Sequence, residues 1–80
     1  MNNEQETIQE AEPVLDHTYR IRMLEESAEL TKKIGKLEAF IETNNYTLIP
    51  WTDRHLLQHQ LRAMQSYSRI LLQRIKQTTP

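Results

Sequence analysis

Tyr19, Arg22, Glu26, Glu29, Lys33 and Lys36 step along the chain by 3, 4, 3, 4 and 3 residues. On a helix that spacing puts all six on one side. The chemistry they offer is recognition of a nucleotide. A tyrosine ring stacks on a base, and lysine or arginine neutralises a phosphate. Tyr19 and Lys33 stand 14 residues apart, about 21 Å along a helix. One protomer therefore cannot close both on one small ligand. Two copies packed antiparallel about a two-fold axis would bring the tyrosine of one to the lysine of the other. A pocket of that symmetry suits a ligand with two bases and two phosphates, such as a cyclic dinucleotide. The plainer reading of the same face is a salt-bridged surface with an interface tyrosine.

Other groups carry less. Arg62, Arg69, Arg74 and Lys76 lie towards the C-terminus, and Arg62 and Arg69 share a face seven residues apart. They read as solubilising charge, or as an anion site where protomers meet. His55 and His59 have a metal-ligand spacing, with Asp53 nearby, but no glutamate sits between them in a zincin-like arrangement and no third ligand is evident. They read as solvated or interface histidines. Glu25, Glu26 and Glu29 are followed by Lys32, Lys33 and Lys36, and Glu29–Lys33 is a well-oriented i, i+4 pair. Asn45-Tyr46-Thr47 matches a glycosylation sequon and reads as a turn. No Ser/His/Asp set and no glycine-rich phosphate loop is present, so no enzyme is expected, and no cofactor.

These side chains need elements to hold them. The 80 residues contain one glycine, three prolines and no cysteine. Between Asp16 and Thr43 only Gly35 interrupts, and between Thr52 and Thr79 there is neither glycine nor proline. Two long helices follow, over about 17–43 and 53–77. Asn44-Asn45-Tyr46-Thr47-Leu48-Ile49-Pro50 collects turn formers and a proline and must join them. Met23, Ser27, Leu30, Ile34, Leu37 and Ile41 step by 4, 3, 4, 3 and 4, and Leu57, Leu61, Met64, Ser68, Leu71 and Ile75 do the same. Each set is a coiled-coil-like stripe facing a partner helix. Thr52 is expected to cap the second helix, with Asp53 in its first turn and Trp51 stapled to Leu56. The fold class is all-α: an antiparallel helical hairpin over 17–80, preceded at 1–16 by an acidic extension or short helix.

Two helices share one seam and cannot enclose a core. Domains this small usually need a staple. Without cysteine there is no disulfide, and a metal site lacks support, so oligomerisation is expected. A second stripe, Leu56, Ala63, Tyr67 and Ile70, together with Leu24, Ala28 and Phe40, offers surface for a homo-oligomer. Residues 1–16 hold five acids and no base. Residues 17–80 hold ten bases and six acids, a net +4 that is weak for a nucleic-acid binder. No DNA or RNA partner is expected. No apolar run approaches the ~18 residues of a membrane span, and the polar, acidic N-terminus is unlike a secretory signal. A cytoplasmic location is expected.

The run Tyr19-Arg20-Ile21-Arg22-Met23-Leu24-Glu25-Glu26, then Glu29-Leu30, then Lys33-Ile34-Gly35-Lys36-Leu37-Glu38-Ala39-Phe40-Ile41, has a counterpart in a known family. So does Leu56-Leu57, Gln60-Leu61, Met64, Tyr67, Leu71 and Arg74-Ile75. Over about residues 17–76 the chain resembles small phage helical-hairpin proteins that act as anti-CBASS sponges. These sequester the cyclic oligonucleotide messengers that switch on bacterial immune effectors. The resemblance implies a compact homo-oligomer, a hexamer, with two kinds of pocket. Cyclic dinucleotides sit between paired protomers, on a tyrosine matched here by Tyr19 and a lysine matched by Lys33 or Lys36. Cyclic trinucleotides sit where protomers bring arginines together, matched by Arg74, with Arg69 as the fallback. Where members can carry a threonine just after the lysine, this chain has Glu38 two residues beyond Lys36. A carboxylate beside a phosphate is unfavourable, so either Lys33 is the ligand or that pocket is altered. The function expected is sequestration without cleavage. The alternative is a protein-interaction hairpin with no nucleotide ligand.

Overall fold

The computed structural model describes residues 17–78. Helix α1 spans His17–Ile41, a 3-10 turn spans Asn44–Leu48, and helix α2 spans Trp51–Gln77. The described residues form an all-helical hairpin with no strand. The acidic segment 1–16 lies outside them.

The seam is the pair of stripes read from the spacing. Met23, Leu30, Leu71 and Ile75 are buried, and Tyr19, Ile34 and Met64 pack against them. Ser27, Leu37, Ile41, Leu57, Leu61 and Ser68 are half-buried along the same lines. The core is deepest near the open end of the hairpin, where Leu71 is fully enclosed. Two cross-helix contacts fix the antiparallel register: Tyr19 with Arg74, and Glu38 with Gln65. Counting inward from Tyr19–Arg74, Ser27 is eight residues along α1 and Ser68 six back along α2. They are level to within one helical turn. Two small residues therefore share one height, where the helices can approach closely.

The turn is built from short-range bonds. At the end of α1, the Glu42 and Thr43 amides donate to the Ala39 and Phe40 carbonyls. The Thr43 hydroxyl donates to the Phe40 carbonyl at 2.7 Å, and the Thr47 hydroxyl to the Asn44 carbonyl at 2.6 Å. Tyr46 then folds under the hairpin. Its ring meets Phe40 edge-on, with centroids 6.2 Å apart. Its hydroxyl accepts from Gln58 at 3.0 Å and lies 3.4 Å from the Arg54 carbonyl. The Arg54 guanidinium stands over the same ring, 5.9 Å from its centroid.

The start of α2 differs from the expectation. Pro50, not Thr52, occupies the N-cap, and no side chain caps the helix. The Pro50 carbonyl accepts from the Asp53 amide at 2.9 Å and the Arg54 amide at 3.0 Å. Proline suits this position because it is set for helix entry and the residue before it is held extended. Ile49 is extended accordingly. Trp51 thus becomes the first helical residue, and the staple to Leu56 does not form. Trp51 is 68% exposed, and its ring leans on His55, 6.4 Å between centroids. Asp53 in the first turn, and Arg74 and Lys76 in the last, match the helix dipole.

Candidate functional site

Among the described residues, eight large apolar side chains are exposed and four are buried. Three of the exposed eight share one stripe. On α2, Leu56, Ala63, Tyr67 and Ile70 step by 7, 4 and 3, and Arg74 follows four residues on. At 100° per residue these five share one side of α2, about 110° from the seam. Leu56 is 64% and Ile70 59% exposed.

The side of α1 that adjoins this stripe is fixed by one bond. The Arg74 guanidinium donates to the Tyr19 hydroxyl at 2.8 Å. Arg22, Glu26, Glu29 and Lys33 continue along that flank of α1. The hairpin therefore presents one broad face, apolar along α2 and charged along α1, with Tyr19 and Arg74 joined at its open end. Tyr19 is half-buried, and its ring packs on the core beneath it. Bonding to Tyr19 raises the Arg74 pKa above its ordinary value, with Glu26 adding a smaller attraction. The guanidinium is fully charged at any physiological pH.

The expected site residues divide as follows. Tyr19 and Arg74, assigned above to different pockets, touch within one protomer. Lys33 and Lys36 are both exposed. Lys33 lies on the Tyr19–Arg74 flank, about 40° round the helix from Tyr19, whereas Lys36 turns further outward. Glu38 is on the opposite flank, where its carboxylate accepts from Gln65 at 3.2 Å. It is some 160° round α1 from Lys36, so it does not crowd a phosphate held by either lysine. Arg69 is about 140° round α2 from Arg74 and bonds the Ser66 hydroxyl at 3.1 Å. It does not share the Tyr19–Arg74 face. Sequence spacing missed the Tyr19–Arg74 contact, because no periodicity within one helix reports which residue of another lies opposite. Arg20 is a second residue it passed over. Its Nε donates to the Thr78 hydroxyl at 3.1 Å, tying the helix ends together beside Tyr19.

No group of three or more metal-ligating side chains occurs among the described residues. No helix among them is long and apolar enough to cross a membrane.

Comparison with known proteins adds the deciding observation. The Sequestin family matches residues 17–77, the same span that forms the hairpin. The chain belongs to the Sequestin family. Neither the curated proteins nor the solved structures returned a match. The family name denotes sequestering proteins, in agreement with the resemblance to cyclic-oligonucleotide sponges. It implies a protein that binds and holds.

Proposed function

We propose that this Sequestin hairpin assembles into a homo-oligomer, a hexamer, and sequesters cyclic oligonucleotide messengers without cleaving them. The host is a bacterial cytosol during phage infection, and the effect is to keep CBASS effectors from their activator. Membership of a family named for sequestration carries this reading, because the matched span is the whole hairpin. The exposed Leu56, Tyr67 and Ile70 support assembly. Two copies meeting antiparallel through this face bring Tyr19 of one near Lys33 of the other. A base then stacks on the ring, and a phosphate meets the ammonium. Lys33 is the better phosphate ligand on its position, with Lys36 at the rim. Arg74 is the candidate for cyclic trinucleotides, where several copies gather guanidinium groups around three phosphates. Arg69, the fallback for that role, lies on another face of α2.

Calorimetry of the purified protein against cyclic di- and trinucleotides, followed by chromatography of the recovered ligand, tests this. Tight binding with intact ligand recovered is expected. Linear nucleotide in the recovered fraction would overturn the non-enzymatic mechanism. The same exposed stripe also suits the second reading, a hairpin that docks a protein. That reading predicts no heat with any nucleotide.

A further inference from the structure

His55 and His59 stand one turn apart on the outer side of α2, away from the seam and beside the face just described. Their Nε2 atoms are 3.1 Å apart, and the rings meet edge to face with centroids 4.6 Å apart. Both residues are exposed. A hydrogen bond between two neutral imidazoles in water gains little net free energy, so the contact has little stabilising value of its own. Its geometry matches a different use. Two imidazole nitrogens each about 2.0–2.1 Å from a tetrahedral ion are about 3.3 Å apart. The observed 3.1 Å spacing is close to that bite. Asp53 lies some 140° round the helix from the pair. Arg62, three residues on from His59, is exposed.

We propose that His55 and His59 chelate a borderline divalent transition-metal ion, such as Cu2+, Ni2+ or Zn2+, through their two Nε2 atoms. Water fills the remaining positions. Both Nε2 lone pairs must face the ion. The ring that donates in the metal-free pair therefore moves its proton from Nε2 to Nδ1, and both rings stay neutral. Affinity follows the general order for nitrogen ligands, with Cu2+ above Ni2+ and Zn2+. The site is independent of nucleotide binding: neither histidine belongs to the Tyr19–Lys33–Arg74 set.

Trp51 supplies the readout. It is the sole tryptophan, and its ring centroid is 6.4 Å from that of His55. Cu2+ held by the pair must quench it. The full chain is titrated with Cu2+ alone and monitored by tryptophan fluorescence, beside His55→Ala, His59→Ala and His17→Ala. Far-UV circular dichroism checks that each variant remains helical, and the change in Tm with Zn2+ gives a second reading. A saturable quench at one ion per chain, lost in His55→Ala and in His59→Ala and kept in His17→Ala, is the result expected. Zn2+ then raises Tm in the wild type alone among the first three proteins. Quenching that never saturates, or that survives in either α2 variant, overturns the chelate.

Discussion

At the scale of single residues, Tyr19 has two partners in view and one ring to serve them. The core packs against one side of that ring, so a proposed base would stack from the other. The Tyr19 hydroxyl is held by Arg74. The two contributions separate by substitution. Tyr19→Phe keeps the ring and removes the bond. Cyclic dinucleotide affinity is expected to change little, as the bond is exposed and water replaces it. Tyr19→Ala removes the stack, at a cost of about 1–3 kcal/mol per base. Titration calorimetry of both variants distinguishes them, and equal losses would show that the hydroxyl, not the ring, is what matters. Lys33→Ala is expected to weaken dinucleotide binding more than Lys36→Ala, since Lys33 shares the Tyr19 flank. The candidate residues were chosen from one tyrosine and several cations on a single helical register. Their pairing was not legible in the sequence. Tyr19 meets Arg74 across 55 residues, and only the helix–helix register decides such a contact.

At the scale of elements, the hairpin was legible almost completely. Stripes spaced 4 and 3 apart leave little choice of seam, and a single glycine with no proline inside the helices leaves little choice of helix extent. The start of α2 was the exception. A threonine before an aspartate is a familiar cap, but Pro50 already sets the entry geometry, so the helix begins at Trp51 and Thr52 falls inside it. Local turn geometry prevailed over side-chain capping. Two stability predictions belong here. Leu71 is fully buried, and Leu71→Ala is expected to cost about 2–5 kcal/mol, measured by chemical denaturation. Gly35 sits in the middle of α1 with nothing within 4 Å of where a Cβ would stand. Gly35→Ala is therefore expected to stabilise the helix by about 0.5–1 kcal/mol. A loss of stability or of assembly instead would mean that a second copy approaches the backbone there.

At the scale of the whole molecule, the core is small and the exposed apolar surface is large. Among the described residues four apolar side chains are buried, while Leu56 and Ile70 stay open to water, and the proposed oligomer would use that surface. Nothing within a single sequence states how copies arrange around that face, which is why oligomer order was not legible from spacing. Ile70→Glu is expected to reduce the assembly to smaller species in light scattering coupled to size exclusion, because a charge buried at an interface without a partner is costly. The same variant is expected to lose ligand binding if the pocket lies between copies. The most direct measurement is calorimetric titration of the assembled wild-type protein with cyclic dinucleotides, repeated on Tyr19→Ala and Lys33→Ala. Saturable binding by the oligomer, severely weakened by either substitution with the oligomer intact, is the result expected. No heat from a folded oligomer, or binding that both variants retain, would contradict it.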